Sequence, residues 1–188
     1  MPTGVALRDV REQLFAAAER VLLRAGPNGL TSRAVTDEAG VAKGVLHRHF
    51  ADFDAFLAEL VLDRIARLDE QVLRESAGTG TVAGNITSAL TGVFGPVAVS
   101  IVGLVTFHDG LRTRLRRAGL TGIPLLAQAA AMIAAYLAAE RELGRIAADT
   151  DVDTMALTLI GSAHLLFAGQ DTPPATEEVH KIVTAVVG

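Results

Sequence analysis

A chain of 188 residues that is half hydrophobic can bury a substantial core. The absence of cysteine excludes disulfides, thiol catalysis and cysteine-bound metal, and with no Trp and few aromatics the core must be aliphatic and Ala-rich. The net charge of -4 is unevenly spread: residues 1–50 hold seven Lys/Arg against five Asp/Glu, and residues 51–188 hold ten against sixteen, so a slightly basic head precedes an acidic body.

The charges of Arg8, Asp9, Arg11 and Glu12 interrupt any apolar stretch at the start, so no secretory signal is expected there. A first helix is predicted over Arg8–Ala25, where Leu14, Ala18, Val21, Leu22 and Ala25 recur at helical spacing, and Gly26-Pro27-Asn28-Gly29 stops it. Thr31 or Ser32 opens a second helix that ends at Gly40, with Val35 and Ala39 inward and Arg33 outward. The third runs over Ala42–Ala51, with Leu46 and Phe50 as its buried pair. A long fourth helix begins at Asp52 or Asp54 and continues toward Ser76. Beyond the flexible Gly78-Thr79-Gly80-Thr81, helices are predicted near Val82–Phe94, Val97–Thr106, Leu111–Arg117, Pro124–Leu143, Asp151–Phe167 and Thr176–Val187. A strand competes only at Val97–Val105. The fold class is therefore all-α: about nine helices, with a helix-turn-helix head over residues 1–53 and a helical body over 54–188. Two uncharged stretches, Ser76–His108 and Ala118–Ala139, are short or broken for a bilayer, so no membrane partner is expected.

Two short helices around a tight turn, the second with a polar and partly basic outer face, have the design of a major-groove reader. The stretch Gly-Leu-Thr-Ser-Arg-Ala-Val-Thr-Asp-Glu-Ala-Gly-Val-Ala-Lys-Gly-Val-Leu-His-Arg-His-Phe (29–50), followed by Asp-Ala-Phe-Leu (54–57), resembles the TetR family of bacterial transcription regulators. In the body the resemblance rests on helix count and on Glu-Leu-Gly-Arg-Ile (142–146) before a long apolar helix. It implies a symmetric dimer that reads an operator in double-stranded DNA with its third helix. It also implies a body that holds a small-molecule effector, whose binding shifts the fourth helix and lowers operator affinity. Carried over by motif position, the DNA-facing residues are Ser32, Arg33, Lys43, Gly44, Val45, His47, Arg48 and His49. Arg48 and Lys43 can donate to guanine edges or phosphate, Val45 can touch a thymine methyl, and Gly44 lets the backbone approach. Four positions depart from the family pattern. Ala42 stands where Ser is usual, Val45 where Thr or Ser is, His47 where Tyr is, and Phe53 where Lys is. Each removes a hydroxyl or a charge that would grip the DNA or cap a helix.

A regulator pocket needs a few convergent polar groups in an apolar lining. Phe94, Phe107, His108, Gln128, Met132, Tyr136, Met155, His164 and Phe167 are the candidates for it. The last two predicted helices offer a dimer seam, with Val152, Met155, Ala156, Leu159, Ile160, Ala163 and Phe167 on one and Ile182, Val183 and Val186 on the other. No metal site is expected: on a helix His47 and His49 diverge, with no third ligand nearby in sequence. No cofactor is implied and no catalytic constellation is evident, so the expectation is a cytoplasmic, ligand-responsive repressor released from a palindrome by a small apolar effector. The competing readings are a small all-α enzyme or carrier that uses the body cavity, and a membrane-associated helical protein.

Overall fold

The computed structural model describes residues 4–68, 70–170 and 172–188, with side chains from residue 10 onward except at 70 and 71. The helices in chain order are α1 (Gly4–Gly29), α2 (Ser32–Glu38), α3 (Gly44–His49), α4 (Phe53–Ala66), α5 (Glu70–Glu75), α6 (Val82–Val93), α7 (Pro96–Phe107), α8 (Asp109–Arg117), α9 (Pro124–Glu142), α10 (Val152–Ala168) and α11 (Thr176–Val187). The all-α class is as expected, and Val97–Val105 lies within α7. Eleven helices among the described residues exceed the expected nine, in part because the long fourth helix divides into α4 and α5. The predicted stop of the first helix is a break at Gly26, where φ is 65°, after which Pro27 restarts one further turn.

The helices gather into two compact units, which differ from the division expected at residue 53. The first holds residues 1–64 together with 100–121, and the second holds 65–99 and 122–188. The chain therefore returns to its head after leaving it. In the first unit Leu14, Ala18, Leu22, Val35, Leu46, Phe56, Leu57 and Leu60 are buried, and so are Ile101 and Leu111 from the returning segment. Phe15, Phe50 and Phe56 form a triangle of rings with centroids 5.1–5.8 Å apart. At Gly103 of α7 a methyl group would stand 3.4 Å from the Pro27 ring, so this helix lies in ordinary contact with the break in α1.

The core of the second unit is built by α6, α9, α10 and α11, around Ile86, Leu90, Phe94, Ile133, Tyr136, Leu137, Leu159 and Val183. The small residues Ala129, Ala156 and Ala163 are also buried in this core. Thr81 caps α6 through Gly84 N–H (3.0 Å), and Asp151 caps α10 through Thr154 N–H (3.1 Å). No single helix among the described residues is long and apolar enough to cross a membrane. The pair α6 and α7 reaches that length only together, across a sharp bend.

Candidate DNA-reading surface

The reader is built from α2, a turn and α3. Thr31 caps α2 by accepting from Ala34 N–H at 3.1 Å. Gly40 (φ 68°) ends it in the left-handed conformation, and Val41 N–H reaches back to the Thr36 carbonyl at 3.0 Å. Val35 and Leu46 are fully buried and Phe50 nearly so, which fixes the inner faces. On α3 no side chain caps the start: Val45 N–H bonds to the Ala42 carbonyl (2.9 Å), and Lys43 contributes no side-chain cap.

α1 orients this pair. Gln13 donates to the Ala39 carbonyl at 2.8 Å, closing the end of α2. Arg11 donates to the His49 carbonyl at 3.2 Å, lies 4.5 Å from the centre of the Phe50 ring and pairs with Glu59. Arg20 and Arg24 both bind Glu38 at 2.7 Å, and their hydrogen bonds hold its carboxyl below the ordinary value. None of these four positioning side chains was singled out from sequence. Their hydrogen-bond and ion-pair partners lie 14 to 48 residues away along the chain.

Of the predicted DNA-facing residues, Arg33, Lys43, Gly44, His47 and Arg48 are exposed, and Ser32, Val45 and His49 are half-buried. Arg33 is drawn toward Asp37 at 3.5 Å, whereas Lys43, His47 and Arg48 carry no ion pair among the described residues. A methyl built on Gly44 would meet nothing within 4 Å, so the backbone there is open to a partner.

Residues 14–60 match the family model of bacterial regulatory proteins, tetR family. The reading head is that of the TetR family. The TetR-like fold extends over the whole chain. E. coli NemR in its reduced form is similar over 95% of both chains (18% identity, TM-score 0.73). FadR from Bacillus subtilis, solved in complex with stearoyl-CoA, is similar over 94% of this chain and 97% of its own (14% identity, TM-score 0.72). A Rhodococcus protein described as a TetR-family transcriptional regulator is similar over 94% of this chain and 95% of its own (20% identity, TM-score 0.68). No curated protein matches the chain significantly.

The nine effector candidates are divided between the two units. Phe94, Met132, Tyr136, Met155, His164 and Phe167 belong to the second unit. There the Phe94 ring stacks on Phe167 (5.6 Å) and lies 6.0 Å from His164, whose Nδ1 is buried without a hydrogen-bond partner. Phe107 and His108 belong to the first unit. Phe107 is 85% exposed at the end of its helix, and His108 Nδ1 caps α8 by accepting from Leu111 N–H (3.2 Å). Gln128 is exposed on α9. Apolar periodicity marks a helix but not which turn of it faces inward, so the exposure of Phe107 and Gln128 was not legible in the sequence.

Tyr136 is buried but occupied: its hydroxyl donates to Glu140 and accepts from Asn85 (3.0 Å). Glu140, which sequence reasoning missed, is a fully buried carboxylate paired with Arg145 at 3.3 Å. Arg145 in turn donates to the Gly80 carbonyl (2.6 Å), and Asn85 donates to the Thr79 carbonyl (2.9 Å). The cluster thus ties the Thr79–Gly80 loop to the end of α9. A separate open groove of about 440 Å³ lies between α6 and α11, where Thr87 meets His180 at 3.1 Å, and none of the nine candidates lines it.

The dimer stripe read from sequence is largely the inner face of α10. Ala156, Leu159, Ile160, Ala163 and Phe167, with Val183 of α11, are buried within their own chain. Val152, Met155, Ile182 and Val186 are half-buried. The most apolar stripe of a helix is the one its own core consumes. The opposite face of α10 carries Leu157 (65% exposed), Gly161 and Leu165 (75% exposed), one turn apart from one another.

Proposed function

We propose that this protein is a dimeric, ligand-responsive repressor that inserts α3 into the major groove of each half of a palindromic operator. The observation that carries this reading is the outer face of α3. Lys43, His47 and Arg48 stand exposed without ion pairs on a helix whose inner face is locked by Leu46 and Phe50. Unspent donors on a rigid short helix suit base edges and phosphates. Ser32, Arg33, Gly44, Val45 and His49 complete the contact surface in this proposal. A dimer follows from the need to read enough base pairs with so small a head, and the outer face of α10 around Leu157, Gly161 and Leu165 is the seam it would use. The effector would enter the second unit beside Phe94, Met132 and Phe167, with the unpartnered nitrogen of His164 as its polar anchor. Bacillus subtilis FadR, which shares the fold, is solved in complex with stearoyl-CoA, and its acyl chain supports an effector with an apolar part.

The test is selection of duplexes from a random pool by the purified chain. The expected winner is an inverted repeat with half-site centres about one helical turn apart. Lys43→Ala combined with Arg48→Ala should abolish enrichment while circular dichroism and dimer mass stay unchanged. A wild-type chain that enriches nothing would refute the reading.

A further inference from the structure

The returning segment changes the electrostatics of the reading unit. Residues 1–64 hold eight Lys/Arg and nine Asp/Glu, a net charge of -1, which is a poor start for meeting phosphates. Residues 100–121 add four arginines and one aspartate, all on α8, and bring the first unit to +2. Residues 1–50 alone are +2, Asp52, Asp54, Glu59 and Asp63 against Arg64 take that to -1, and α8 restores the positive balance of the unit that carries the reader.

α8 meets α4 at its first turn, only a few residues after α3 ends. Asp52 serves two elements at once: its Oδ1 accepts from Ala55 N–H (2.7 Å), and its Oδ2 takes Arg114 (2.5 Å). His108 stands 3.6 Å from Asp54, and the Asp54 carboxylate occupies the space that a side chain at Gly110 would take. Leu111 and Leu115 face inward, and Arg114 and Arg117, three apart, share the flank turned toward Asp52. Arg117 is exposed and has no ion pair among the described residues. One bond to Asp52 leaves other guanidinium donors of Arg114 unspent. The same edge of the head lacks the usual cation: Phe53 stacks on Phe56 (5.7 Å) and offers no charge.

We propose that α8 extends the DNA-contact surface, with Arg114 and Arg117 holding a backbone phosphate at the edge of the half-site beside the start of α4. The proposal rests on the DNA-reading role given above. A guanidinium fork is suited to phosphate oxygens, and such bonds fix register without reading sequence. Asp52, neutralised by Arg114, then no longer repels the strand.

The experiment uses the full-length chain, the duplex it enriches from a random pool, and an unrelated duplex of equal length. Affinity is measured from about 50 to about 200 mM salt. Arg117→Gln should weaken both probes by the same factor and lower the slope of log K against log salt by about 0.9 for each phosphate no longer neutralised. Arg114→Gln with Arg117→Gln should lower it further, Arg117→Lys should retain it, and repeat selection should return the same sequence. An unchanged slope in the double variant while the wild type binds overturns the proposal. So does a changed base preference with an unchanged slope, since Arg114 would then act only by positioning α4. A wild type that binds no duplex removes instead the function on which the proposal stands.

Discussion

Tyr136 shows how much a single buried hydroxyl can commit. Burial first, and the hydrogen bond to Glu140 second, push its ionisation up to about 12 from an ordinary 10.0. An acid whose ionisation is raised by folding favours the folded state while it stays protonated. Its stabilisation is therefore complete below pH 10 and is lost as pH rises toward 12. Urea denaturation across that window should show the wild type losing stability more steeply than Tyr136→Phe. At neutral pH the same variant should cost about 1–3 kcal/mol, because Glu140 and Asn85 each lose one of their hydrogen-bond partners. Glu38 has the opposite sign. Arg20 and Arg24 lower its ionisation, so its contribution is present above pH 4.5 and lost as pH falls below that, and Glu38→Gln should flatten this acid limb. Neither cluster was legible in the sequence. Glu140 sits in Ala-Ala-Glu-Arg-Glu, which reads as the solvated end of a helix; its partner Gly78 lies 62 residues away, and Asn85, the partner of Tyr136, lies 51 from that tyrosine. Only folding brings them together.

Helices whose identity rests on local signals were legible almost to the residue. Thr31, Gly40 and Pro124 all act where their chemistry places them, because a cap, a left-handed glycine or a first-turn proline needs only its own few neighbours. The contrast between the two reader helices follows from the same rule. Thr31→Ala should cost about 1 kcal/mol, whereas Ala42→Ser should gain about 0.5–1 kcal/mol by giving α3 the cap it lacks, each read from the shift in urea midpoint. What local signals could not reveal was which side of α10 would be used by its own chain. Leu159 is fully buried, so Leu159→Ala should cost about 2–5 kcal/mol in stability. Leu157→Asp with Leu165→Asp should leave the fold intact and, if the outer face is the seam, yield monomers by light scattering.

The charge of the whole molecule is partitioned between its two units: the first carries +2 and the second -6. An acidic second unit repels phosphates, which leaves the first unit as the side of the chain that suits DNA. That partition was half visible: the basic head was evident, and the arginine cluster of α8 reads in the sequence either as a solvated helix or as a surface for DNA or an acidic partner, with nothing local to place it in the unit of the head. The return has a consequence for anyone who would transplant this head onto another regulator. A cut after residue 53 discards Phe56, Leu57 and Leu60 and leaves Asp52 without Arg114. A peptide of residues 1–53 should accordingly give broad, poorly dispersed amide spectra. A working graft must carry two separate stretches of the gene, 1–64 and 100–121, so exchange by a single crossover cannot move the first unit intact.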